Sequence, residues 1–171
     1  MSHVATEFEP LNIAVLTVSD TRNEETDTSG RYLVENLLAD GHHLAEKQIV
    51  IDDKYLIRAI ISRWIADKSV QAILVTGGTG FTGRDTTPEA VTPLFDKTIE
   101  GFGELFRHVS LSEIGTSTIQ SRAFAGMANK TVIFCMPGST NACKTAWTHI
   151  LKSQLDSRHK PCNFVPHVRG K

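Results

Sequence analysis

This sequence contains no C-x-x-C pair, no block of like charge and no apolar run longer than seven residues. Each absence removes a class of function. Cys135, Cys143 and Cys162 are odd in number and carry no metal-ligand spacing, so they read as reduced thiols in a cytoplasmic protein. The apolar runs fall far short of the roughly 20 residues needed to cross a bilayer. Eighteen basic residues stand against 19 acidic ones, a net charge of −1. That balance provides no basic field to gather nucleic acid or a membrane surface. Residues 1–10 hold Glu7 and Glu9 but no apolar core, which is not the pattern of a signal peptide. Repeats, low-complexity blocks and Pro/Gly-rich linkers are absent too, so residues 1–171 read as one domain. Seven histidines are scattered. The adjacent His42 and His43 read as a surface turn, with a metal pair as the alternative.

What is present is a strand–helix alternation. Nearly continuous apolar and β-branched runs at residues 13–18, 48–51, 72–76 and 131–136 suit strands covered on both faces of a parallel sheet. Helical periodicity follows at residues 31–40, with Leu33, Leu37 and Leu38 on one stripe. It recurs at residues 54–67, with Leu56, Ile57, Ile60, Ile61, Trp64 and Ile65 on one stripe and Asp52 or Asp53 as cap. Thr87-Pro88-Glu89 reads as a hydroxyl cap, a first-turn proline and a first-turn acid. Ser139 or Thr140 caps a last helix. This order predicts an α/β fold with a doubly wound, Rossmann-like parallel sheet. Ligands of such sheets sit beyond the carboxyl ends of the strands. There the chain places Ser19-Asp20, Asp52-Asp53, residues 76–85 and Pro137-Gly138-Ser139.

The segment Thr76-Gly77-Gly78-Thr79-Gly80 carries three glycines in four positions after a buried strand. Missing Cβ atoms leave backbone N–H groups open to an anion, whereas the plainer reading is a flexible turn. Gly78-x-Gly80-x-x-Gly83 matches the dinucleotide pattern, which keeps a nicotinamide-dependent dehydrogenase as a distant alternative. However, the loop follows the third predicted strand rather than the first. A P-loop is rejected because Arg84 and Asp85 replace its lysine and hydroxyl. Asp85 beside a phosphate makes sense where Mg²⁺ bridges the two; otherwise it closes an Asx turn that prepares the Thr87 cap. Asp52 and Asp53 are helix caps or a second acid for the metal. Ser139, opening a helix after Pro137 and Gly138, offers a hydroxyl and a helix N-terminus to an anion. The absence of G-x-S-x-G speaks against a serine-hydrolase elbow. Arg122 is a phosphate clamp or a surface ion pair.

Taken in order, several motifs resemble the MoaB/MogA molybdenum-cofactor biosynthesis family. They are Thr17-Val18-Ser19-Asp20, Asp27-x-Ser29-Gly30, Val50-x-Asp52, Thr76-Gly77-Gly78-Thr79-Gly80, Arg84-Asp85-x-Thr87-Pro88-Glu89-Ala90, Ser121-Arg122-x-x-Ala125-Gly126 and Met136-Pro137-Gly138. The resemblance spans about residues 12–155. Phe8-Glu9-Pro10, Gly101-Phe102-Gly103-Glu104, Glu113-Ile114-Gly115-Thr116-Ser117 and Pro161-Cys162-Asn163-Phe164 resemble its bacterial MoaB branch. That resemblance implies a three-layer αβα sandwich with a mostly parallel sheet, assembled as a trimer or as paired trimers. It implies molybdopterin as ligand and, in active members, Mg²⁺-dependent transfer of AMP from ATP to the molybdopterin phosphate. Other cofactor-biosynthesis proteins would be partners. Asp85 and Asp52 would hold the metal, and Ser19, Asp20, residues 76–80, Arg122, Pro137, Gly138 and Ser139 would hold the substrates. Ile51 stands where many transferases have proline. That departure favours the alternative, a paralogue that binds molybdopterin with little turnover.

Overall fold

The computed structural model describes residues 5–171. Residues 1–4, part of the segment read above as no signal peptide, lie outside the described residues. Six strands form one sheet in the order β2-β1-β3-β6-β5-β4. They are β1 (Asn12–Val18), β2 (His43–Val50), β3 (Ala72–Thr76), β4 (Lys97–Thr98), β5 (Phe124–Ala128) and β6 (Thr131–Met136). The first four in that order run parallel, β5 runs antiparallel to β6, and β4 runs antiparallel to β5. The sheet is therefore mixed, and the expectation of an α/β sandwich with a mostly parallel sheet holds.

Helices cover both faces because the central strands are apolar on both. In β1, Ile13 and Val15 enter one core while Ala14 and Leu16 enter the other. Helix α1 (Thr28–Ala39) inserts Leu33 and Leu37 into the first core, leaving Leu38 half exposed. Helix α2 (Lys54–Ala66) inserts Ile57, Ile61 and Trp64 into the second. Their spacing of four and three residues turns one stripe toward the sheet, and Leu56 stays outside it. Each such fully buried side chain stabilises the fold by roughly 1.5–3 kcal/mol. Helix α3 is short (Thr87–Val91), whereas α4 (Glu100–Ile114) is the longest and runs into a 3₁₀ turn (Gly115–Gln120). Helix α5 (Thr140–Ala146) continues through a π-helical turn (Trp147–Leu151) into α6 (Lys152–Gln154), and α7 (Val165–Val168) follows.

Several local expectations are corrected. Strand β2 starts five residues earlier than the sequence suggests, because its half-exposed polar positions mask the pattern. The cap of α3 is Thr86, with no side-chain cap bond; the Thr87 hydroxyl instead donates to Gly77 O at 2.8 Å. His42 is no surface turn. It is buried, its Nδ1 accepts the Leu11 amide at 3.1 Å, and burial holds its pKa below the ordinary value. Among the described residues no group of three His, Cys, Asp or Glu side chains is arranged to hold a metal. None of their helices is long and apolar enough to cross a membrane.

Strand register sets up the site. Thr17 pairs with Thr76, and Thr76 pairs with Met136. Three adjacent strands thus end level, and their outgoing loops leave the sheet side by side.

Candidate functional site

Beyond those level ends lies a crevice of about 430 Å³. Its floor is made by Thr17, Val18 and Ser19 at the end of β1, by residues 76–80 at the end of β3, and by Pro137, Gly138 and Ser139 after β6. Helix α4, the 3₁₀ turn and α5 supply the facing wall. At the floor the loops touch: a Cβ added to Gly138 would lie 3.2 Å from Gly77 Cα. Ser139 caps α5 by accepting the Ala142 amide at 3.1 Å.

The glycine loop is built inside out. Gly77 and Gly78 both have left-handed backbones, with φ of +106° and +68°. Every carbonyl from 77 to 80 is turned back into the protein. Gly77 O accepts from the Thr87 hydroxyl, and Gly78 O from the Thr87 amide at 3.0 Å. Thr79 O accepts from the Arg122 amide at 3.3 Å, and Gly80 O from Arg122 Nε at 2.9 Å. Among the described residues, the Gly78 and Thr79 amides meet no acceptor. Two neighbouring residues with opened N–H groups and inward carbonyls form an anion-binding concavity.

The reason for the glycines differs from the sequence expectation. Their absent side chains do not clear room for an anion. A Cβ on Gly77 would meet Val18 O at 2.1 Å; on Gly78, Thr87 Oγ1 at 2.2 Å and Asp52 Oδ2 at 2.7 Å; on Gly80, Asp85 Oδ2 at 2.8 Å. Glycine is required on the protein side of the loop, and the open amides are a consequence of the conformation it permits.

Asp85 lines the crevice. Its Oδ2 accepts from the Thr82 amide at 2.9 Å and the Thr82 hydroxyl at 2.7 Å. Burial works against its charge, but donation from Thr82 and Gly80 and the nearby Arg122 outweigh it and lower the pKa. The turn it closes looks back to Thr82, so it does not prepare the α3 cap.

Asp52 is placed differently. Asp53 caps α2, accepting the Tyr55 and Leu56 amides, each at 2.9 Å. Asp52 is thereby spared capping, but it lies beneath the loop, only 6 % exposed and outside the crevice lining. Its Oδ1 accepts from the Thr86 hydroxyl at 2.6 Å and the Thr86 amide at 3.1 Å. Burial, with repulsion from Asp85 and Asp20, raises its pKa despite those bonds.

Asp20 also lies outside the lining. It is held by both arms of Arg84 at 2.9 Å and accepts the Asp52 amide. Arg122, too, is not at the crevice surface. Beyond Gly80 O, its guanidinium donates to Asp85 O at 3.0 Å, pairs with Glu89 and stacks over Phe81. It braces the loop from behind. The crevice thus gathers Ser19, Thr76, Gly77, Gly78, Thr79, Gly80, Asp85, Pro137, Gly138 and Ser139, and leaves Asp20, Asp52 and Arg122 outside.

Two charged residues at the crevice were missed. Arg22 donates to Ser29 Oγ at 2.6 Å and lies 3.6 Å from the buried Asp27 carboxylate. It is the crevice's only lysine or arginine among the described residues. A lone cation between two turn segments was its signal. Glu113, near the end of α4, also lines the crevice. The repeat of Phe102 and Phe106 and the closing Gly115 could have disclosed α4.

Residues 14–157 match the family model described as "Probable molybdopterin binding domain". A relative named molybdenum cofactor biosynthesis protein B from Escherichia coli (strain K12) is 59 % identical over 169 residues, covering 99 % of each chain. Its namesake from Bacillus subtilis (strain 168) is 44 % identical, covering 82 % of this chain and 84 % of that one. Among solved structures, the tungsten cofactor synthesizing protein MoaB from Pyrococcus furiosus is 38 % identical with a TM-score of 0.75. It covers 86 % of this chain and 93 % of its own.

Proposed function

The chain belongs to the MoaB/MogA family of molybdenum-cofactor biosynthesis proteins, and from that premise we propose that its crevice binds molybdopterin and adenylylates the terminal phosphate with Mg-ATP, releasing pyrophosphate. The observation that carries this reading is the loop at residues 77–80, whose carbonyls are all engaged inward while the Gly78 and Thr79 amides stand open beside Asp85.

The attacking group of such a transfer is a phosphate oxygen that is already anionic, so no general base is needed. What the protein must do is align two phosphates and offset their charge. Open amides and the Ser139 turn hold phosphate oxygens without adding a mobile charge. Arg22 adds a guanidinium at the β1 end of the crevice. The donor set fits Mg²⁺, which favours one or two carboxylates together with phosphate oxygens. Asp85 would be its protein ligand, because among the described residues both Thr82 bonds fall on its Oδ2 and leave Oδ1 to the crevice. Bound there, Mg²⁺ would neutralise charge on the reacting phosphates. Asp52 would act through Thr86 by fixing the loop's return, in place of the direct metal contact expected from the motif.

The test is incubation of the protein with molybdopterin, ATP and Mg²⁺, with detection of adenylylated product and pyrophosphate. Asp85→Asn should abolish product while molybdopterin binding persists; undiminished turnover would refute the metal role. A second reading, a molybdopterin binder with little turnover, draws on Asp52's position outside the crevice lining. Tight binding by the unmodified protein without product would favour it. In either reading the chain works as a trimer or a pair of trimers. Light scattering should return a threefold multiple, and a clean monomer would count against it.

A further inference from the structure

The wall facing the glycine loop contains a carboxylate whose placement the fold does not explain. Glu113 stands in the last turn of α4, the negative end of the helix dipole, with no basic residue in that turn to answer it. A structural preference would put a lysine or arginine there. Glu113 is instead held toward α5, where its Oε2 accepts from the buried Thr145 hydroxyl at 2.6 Å and from Asn141 Nδ2 at 3.3 Å. Among the described residues its Oε1 takes part in no hydrogen bond. Glu113, Asn141 and Thr145 all line the crevice, beside the apolar Phe106 and Ile114.

We infer that Glu113 is the specificity residue for the heterocyclic end of the ligand, accepting hydrogen bonds from adjacent N–H groups on a planar ring. An ionised carboxylate is acceptor-only. It therefore favours an edge with neighbouring donors, such as the 2-amino and N3–H groups of a pterin, and rejects one that presents a carbonyl there. The crevice is polarised accordingly. Open amides and Arg22 receive the anionic end, while Glu113 repels anions and receives the donor edge. This inference rests on the pterin reading above, and it adds which wall reads the ring.

The test is fluorescence titration with 6-hydroxymethylpterin and with its lumazine counterpart, in which a carbonyl replaces the 2-amino group. The unmodified protein should prefer the pterin by about tenfold or more, as expected when a site built to accept a donor meets an analogue lacking it. Glu113→Gln keeps the shape but replaces one acceptor by a donor, so the preference should collapse to about threefold or less by gain of lumazine and loss of pterin. Thr145→Val frees the carboxylate from its anchor and should lower the preference by a smaller factor. Circular dichroism checks that each variant is folded. A pterin preference unchanged in both variants overturns the role of Glu113 and leaves the pterin reading standing. If the unmodified protein binds neither ring, the pterin reading falls and Glu113 falls with it. AMP titrated alongside should respond equally in all three proteins; a loss confined to AMP would seat a nucleotide base at Glu113 and overturn the inference.

Discussion

Replacing Gly78 by alanine adds one methyl group at a point where the loop is closed on itself. The backbone there has φ of +68°, which costs an L-residue about 1–2 kcal/mol. The new Cβ would also lie 2.2 Å from Thr87 Oγ1, so the hydroxyl must rotate away. It then loses its buried bond to Gly77 O, leaving a carbonyl unsatisfied at roughly 1–3 kcal/mol. The sum is about 3 kcal/mol, and a chain of this length loses roughly 2–4 °C of Tm per kcal/mol. Thermal unfolding followed by circular dichroism should show a fall of about 6–12 °C by this conversion. Gly83→Ala is the matched control: nothing lies within 4 Å of its added Cβ, so its Tm should stay within about 2 °C of the parent. If Gly78 served only to admit an anion, its alanine variant would keep the parental Tm and lose ligand affinity alone. A Tm fall below about 2 °C would refute the structural account of the loop.

Arg122→Ala should lower stability by about 1–3 kcal/mol in urea, because it strips donors from Gly80 O and Asp85 O together. Arg122→Lys should not restore it, since one ammonium cannot reproduce the forked contact; parental stability in the lysine variant would count against the brace. The Asp20 carboxyl, gripped by Arg84 and by the Asp52 amide, should titrate at about 2 instead of 3.8. With the folded pKa depressed, its contribution is complete above the unfolded value and is lost as pH falls from about 4 toward 2. An NMR inflection near 4 would show that the Arg84 contact is not formed. In the native protein at pH 8, a thiol reagent should modify only one of three cysteines, the exposed Cys162. Burial lifts Cys143 to about 11 and Cys135 well above its ordinary value, so rapid modification of all three would contradict the burial of these two in the cores on opposite faces of the sheet.

Much of this architecture was readable because the central strands are buried on both faces. Residues 72–76 and 131–136 announce themselves as uninterrupted apolar runs and match β3 and β6 end for end. Strand β2 was read short because it lies at the sheet margin, where Glu46, Lys47 and Gln48 interrupt any apolar run. The two-residue β4 carries no periodicity at all, and α4 opens with glycines at 101 and 103. In the site, the floor was legible because it follows from strand ends and glycine spacing. The wall was not, because Glu113 and Asn141 meet only after α4 and α5 pack side by side. Arg122 shows the limit of reading a charge by its neighbours in sequence. Its partners Gly80 and Asp85 lie 42 and 37 residues away.

The margins of the sheet bear on how the protein behaves when concentrated. On one side the outermost strand carries Glu46 and Lys47, which reach back to Arg63 and Asp27. On the other, the ladder stops at β4, the two residues Lys97 and Thr98, one of them charged. Neither border offers a long, flat, apolar row of free backbone groups on which a second sheet could grow. Ribbon-like polymerisation is disfavoured at both borders, which leaves the helical flanks and loops as the favoured surfaces for self-association.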